Sequence, residues 1–205
     1  MKQAGTRLLF SYWNRLRGER ATPEREDIDP AAIAGLLRDT FILEVDPDRD
    51  MPIRVAGAGL SALFTRELKG EKFTALFQNS DQASLKTIIE AVMGDAAPAV
   101  VGIAAAPAGR PLLELEMLLL PLRHRAKTHA RLLGSLTPSS FPSWLGLLEV
   151  TPMNIVSLRI VRPEMAQDYD QPHFFAADVG LLPLPEAGRR RLESRIRLLE
   201  IGRPR

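Results

Sequence analysis

Apolar residues recur along this chain with two periods, and the switches between them mark out its elements. Over residues 6–17, Leu8, Leu9, Tyr12, Trp13 and Leu16 fall at helical spacing, with Arg7, Ser11, Asn14 and Arg15 largely opposite. Thr6 is placed to cap this helix and Gly18 to end it. A mixed-charge linker follows to Asp29. Asp29 then stands before Pro30 as a cap before a first-turn proline, which predicts a helix over residues 30–37 with Ile33, Leu36 and Leu37 inward. Period two takes over at Phe41, Leu43 and Val45, one face of a strand. The turn Asp46-Pro47-Asp48 closes it, and residues 53–56 return as the second strand. A helix capped by Ser80 or Asp81 runs to Met93, with Leu85, Ile88, Ile89, Val92 and Met93 as its stripe and Gly94 as its stop. Strands are predicted over residues 98–106, 111–122 and 128–136. A turn at Ala108-Gly109-Arg110 joins the first two, and a basic turn at residues 123–127 joins the last two.

The longest strand carries a second message. Leu113, Leu115, Met117 and Leu119 share one face; Leu112, Glu114, Glu116, Leu118 and Leu120 share the other. A solvated face has no need of three leucines, so something should cover it, and the amino-terminal helix is the candidate. The same helical stripe also suits a partner subunit, with Leu9, Tyr12, Trp13 and Leu16 as the contact residues. If the last two strands pair, Glu116 meets Arg131 or His129 in a cross-strand ion pair.

Between the first hairpin and the long helix lies IRVAGAGLSALFTRELKGEKF, residues 53–73. It reads as a strand, a glycine turn at Gly57 and Gly59, a short helix to Phe64 and a turn closing at Gly70. Gly57, Gly59 and Ala62 satisfy the loose dinucleotide fingerprint. A pyrophosphate site needs a long helix whose amino-terminus holds the phosphates, then a parallel strand ending in an acid. Here the apolar helix stops by Thr65-Arg66-Glu67 and no such strand follows, which argues against a nucleotide site.

The run VAGAGLSALFTRELKGEKF resembles the signature of the PAS fold. With LLFSYWNRLRGERATPEREDIDPAAIAGLLRDTFILEVD before it and LLELEMLLLPL after it, the likeness covers residues 8–138. It is that of the small stand-alone bacterial PAS domain proteins of the PAS_5 type. The resemblance implies an α+β fold: a five-stranded antiparallel sheet with helices on one face, an N-terminal amphipathic flanking helix and a C-terminal extension. It divides the chain into residues 1–29, 30–138 and 139–205. Thr65 departs from the pattern, standing where the family has glycine. A left-handed backbone there strains a β-branched residue, so this turn is expected to differ from the family's. In haem-binding PAS domains the corresponding long helix commonly carries a histidine ligand. This one has none, so haem is not expected.

Composition narrows the functional classes. The 205 residues are 45% apolar and 25% charged, with a net charge of +2, the profile of one ordinary globular domain with appendages. No global field calls for nucleic acid. The absence of cysteine excludes disulfides, thiolate metal sites and a cysteinyl-flavin photosensor. No apolar run reaches membrane-spanning length, and a cytoplasmic location is expected. Beyond Pro138 the pattern loosens: Trp144 anchors a proline-rich loop and residues 154–161 suit a further strand. His173 lies beside Phe174 and Phe175, with no second ligand at metal spacing. From Glu186 seven arginines face three glutamates, with Leu192, Ile196 and Leu199 on one helical face.

These readings converge on a non-enzymatic sensory or regulatory module that acts through protein contacts. It is expected as a homodimer through the amino-terminal helix, with a signalling protein as partner and a small ligand gating a core pocket. Val55, Leu60, Phe64, Phe73, Ile89, Met93, Leu115 and Met117 are the candidates for its lining, and a fully packed core with no ligand is the alternative reading of the same eight residues. An adaptor with a vestigial pocket, binding a partner through its basic tail, is the alternative. An enzyme using Glu114, Glu116 or His129 ranks third, for want of a second convergent group.

Overall fold

The structure, a computed structural model, describes residues 1–45, 51–107, 109–124 and 127–161. The turn expected at Asp46-Pro47-Asp48, the side chain of His129, His173 and the basic tail lie outside the described residues.

Helix α1 (Ala4–Arg17) opens the chain. Gln3, not Thr6, takes the cap position, and Thr6 is buried one turn in. The helix expected over residues 30–37 is instead two 3₁₀ turns, Ala31–Ile33 and Leu37–Asp39. Eight residues with Gly35 among them and one well-buried anchor, Ile33, cannot repay helix nucleation.

Strands β1 (Thr40–Glu44) and β2 (Ile53–Ala56) form the first antiparallel pair. Helix α2 (Ala58–Phe64), a 3₁₀ turn at Phe73–Leu76 and helix α3 (Asn79–Gly94) cross one face of the sheet. Then β3 (Ala99–Ala105), β4 (Leu113–His124) and β5 (Lys127–Pro138) run as a meander that brings β5 beside β1. Residues beyond the meander add to its free edge: β6 (Asn154–Ile160) pairs with β3, giving a six-stranded order β2-β1-β5-β4-β3-β6. Trp144, Val150, Met153 and Ile155 from this stretch enter the same core as the central strands. The Asp81 carboxylate accepts the Ile155 amide hydrogen at 2.9 Å in a buried site, tying α3 to the new edge.

The parity expected for β4 holds. Leu113, Leu115, Met117 and Leu119 join the layer under α2 and α3. Leu118, Leu120 and Leu122 join a second apolar layer whose cover is α1, through Leu9, Phe10, Tyr12 and Trp13. The half-apolar outer face is therefore roofed by the chain's own first helix.

Candidate functional site

The inner layer is built from elements far apart in sequence. The Phe41 ring from β1 stacks on Phe73 at 4.9 Å, and Phe73 meets Phe77 edge-on at 5.6 Å. Leu60 and Phe64 arrive from α2, Ile89 and Met93 from α3, and Leu115 and Met117 from β4. All are buried in one cluster with Phe73.

Val55 does not join them; it is 48% exposed. The register explains why. Ile42 faces Val55 and Leu43 faces Ile53, so Arg54 is an extra residue in a bulge. One extra residue reverses the alternation, and Val55 comes out on the outer face opposite Ile42. Arg54 uses the bulge to reach Glu44, which Arg131 of β5 also contacts at 3.1 Å. The hydrogen bond from Arg54, and then the Arg131 charge, hold the Glu44 carboxyl below its ordinary range.

Gly57 and Gly59 serve packing. A Cβ on Gly57 would stand 2.0 Å from the Leu37 carbonyl oxygen, and one on Gly59 would stand 2.3 Å from an Asp39 carboxylate oxygen. The glycines let α2 lie against the turn at residues 37–39, a close approach that a dinucleotide motif and a packing motif demand alike. At the other end of α2, Thr65 does adopt the left-handed conformation, with φ 52° and ψ 24°. The turn takes the conformation that glycine favours and sets a β-branched residue in it.

The outer layer places the expected interface residues on the chain's own sheet. Leu9, Tyr12 and Trp13 are buried there and Leu16 packs partly against them. The Trp13 indole N–H donates to the Pro121 carbonyl at 2.9 Å, and the Tyr12 hydroxyl accepts the Asp29 amide hydrogen at 2.8 Å. A contact between copies through these four side chains would require α1 to leave its sheet.

Glu116 is the residue whose role the sequence hid. Its register partner on β5 is Thr137, whereas Arg131 stands opposite Leu122, so the expected pairing with Arg131 or His129 is not the cross-strand register. Instead its carboxylate, in a residue 8% exposed, accepts the amide hydrogens of Lys2 and Gln3 at 2.7 and 3.0 Å. An anion at the start of α1 satisfies two backbone donors and opposes the positive end of the helix dipole. No local pattern announces a cap supplied from more than a hundred residues away.

Among the described residues, two of the clefts at the surface each hold about 140 Å³. The first lies between the turn at Arg38 and Asp39, helix α2 and the segment carrying Pro138, Phe141 and Leu145. Burial pushes the Asp39 carboxyl above its ordinary range, opposed by the Arg38 charge. The second lies between the linker at Ala21 and Thr22, the end of α3 and the end of β4. Among the described residues no group of three or more His, Cys, Asp or Glu side chains is placed to hold a metal ion, and no helix is long and apolar enough to cross a membrane.

A family model described as a PAS domain matches residues 1–137. Among solved structures, "The light state structure of the blue-light photoreceptor Aureochrome1 LOV" aligns with a TM-score of 0.40 at 17% identity, over 57% of this chain and 92% of that one. No curated protein matches the chain.

Proposed function

This chain belongs to the PAS domain family, and from that premise we propose a non-enzymatic regulatory module that signals by protein contact through α1 and the sheet face beneath it. One observation carries the reading: β4 is shared by both layers. Leu115, Met117 and Leu119 touch the inner cluster, while Glu116, Leu118 and Leu120 lie under α1. A small molecule or protein that favours one arrangement of the inner layer shifts the strand on which α1 rests, and so the population in which α1 is docked. Displacing α1 uncovers an apolar sheet face and an apolar helix face together, either of which a partner can take up.

Native mass spectrometry of the full chain, purified undenatured from its own host, shows whether a small molecule is retained. Amide exchange over residues 4–17 is then compared before and after that molecule is stripped. As a comparison that needs no ligand, Ile89→Val alters the inner layer at a side chain packed away from α1. Both changes are expected to alter exchange in α1. Exchange there that stays at the wild-type rate while α3 responds would overturn the coupling.

A further inference from the structure

The first cleft sets charge against carbon, and the regulatory reading uses neither. Arg38 and Asp39 line it from the turn before β1, and Phe141, Pro142 and Leu145 line it from the loop after β5. Both charged side chains pack against Gly59, another lining residue: a Cβ there would stand 2.3 Å from the Asp39 Oδ1 and 2.8 Å from the Arg38 Cγ. The bare backbone of α2 is what leaves the two side chains their place. Phe141 is 71% exposed, a whole ring left in water beside this cleft.

The two charges are open and weakly engaged. The Arg38 side chain is 67% exposed and that of Asp39 34%, and their contact, Nε to Oδ1, is 3.7 Å, beyond a hydrogen bond. Other arginines of this surface are held closer: Arg20 reaches Asp27 at 2.7 Å, Arg66 reaches Glu71 at 2.9 Å and Arg131 reaches Glu44 at 3.1 Å. Neither Arg38 nor Asp39 has a side-chain hydrogen bond among the described residues. Partial burial with no donor is also what pushes the Asp39 carboxyl upward, so a cation arriving beside it relieves a cost already present.

We propose that this cleft binds a free α-amino acid with an apolar side chain, its ammonium on Asp39 and its carboxylate on Arg38. A bare cation would meet Arg38 as well as Asp39, and a bare anion the reverse; a zwitterion meets an opposite charge at each. The spacing suits it. Two bonds hold the nitrogen and carboxyl carbon of an amino acid about 2.5 Å apart, beside protein charges 3.7 Å apart. The guanidinium can take both carboxylate oxygens at once. The side chain lies on Phe141, Pro142 and Leu145. A space of about 140 Å³ is close to the ~150 Å³ cavity known to hold a single benzene ring, so that side chain is ring-sized. The site does not depend on the role assigned to α1.

The probe is L-phenylalanine, titrated into the full chain at neutral pH and followed by amide and methyl NMR shifts. Saturable shifts are expected at Asp39, Gly59, Leu145 and Gly146. Phenylpropionate lacks the ammonium and phenethylamine lacks the carboxylate; each is expected to bind about fivefold more weakly, the worth of one open ion pair. Glycine, with both charges and no side chain, should bind more weakly still. Asp39→Asn should abolish the preference over phenylpropionate, and Arg38→Gln the preference over phenethylamine, while Arg123→Gln, in the other cleft, changes neither. If either variant at the site does not fold, the ligand series on the unaltered chain decides alone. No saturable shift at millimolar L-phenylalanine, or equal affinity for it and its two analogues, would overturn the site.

Discussion

Under α2 and α3, three phenylalanine rings in contact and a field of aliphatic side chains close the inner face of the sheet by filling space. Over the opposite face, a single helix lies on an apolar stripe and is fixed near its ends by directed bonds, Glu116 at its start and Trp13 to Pro121 further along. The first kind of closure is shared among many contacts, so damage anywhere weakens the whole. The second adds a few directed bonds to a smaller apolar layer built on Leu9, Phe10, Tyr12 and Trp13.

The comparison can be broken at its strongest point first. Phe73→Ala removes the ring at the centre of the inner stack and should lower the global unfolding free energy by about 3–5 kcal/mol in urea melts. Exchange should then rise throughout the sheet; a loss confined to one helix would mean that the inner layer is not a single packed unit. Glu116→Ala should cost about 2 kcal/mol, the usual worth of hydrogen bonds to a charged acceptor. That loss should appear as faster amide exchange in residues 4–17, with α3 little changed. If both helices loosen together, the two layers are not separable.

Smaller effects sharpen the picture. Thr65→Gly relieves a left-handed β-branched residue, which costs about 1–2 kcal/mol, and adds back some chain entropy. A net gain of about 0.5 kcal/mol is expected, read as a modest rise in Tm. The smallest effect concerns pH. Burial raises the Asp39 carboxyl above its unfolded value, so its contribution is fully present below the unfolded pKa and is lost as pH rises through the folded one. Asp39→Asn should therefore melt above the unaltered chain at neutral pH, and the two should converge in acid. A constant difference across that range would assign the effect to something other than ionisation.

Much of this molecule was legible because its pattern is local. The alternation along β4 announced a sheet with two apolar faces, and the stripe on α1 announced a cover. Seven of the eight residues named as candidates for a pocket lining are buried together in one packed cluster, because parity within a strand or stripe within a helix sets each one's direction. Val55 failed for a reason that parity cannot register, one extra residue at Arg54 inserted by the pairing with β1. The 3₁₀ turns at residues 31–33 and 37–39 failed as a predicted helix because capping signals count for little in so short a segment.

The sequence by itself determined most of the elements, most of their faces and the family, since backbone propensity and hydrophobic period act between residues a few positions apart. Tertiary structure alone decided that Glu116 caps a helix 113 or more residues earlier, that Asp81 anchors β6, and that Asp39 and Phe141 share a cleft. Each of these joins a polar group to a partner distant in the chain. A single carboxylate or hydroxyl has no period, so its partner is fixed only when the sheet brings the two together.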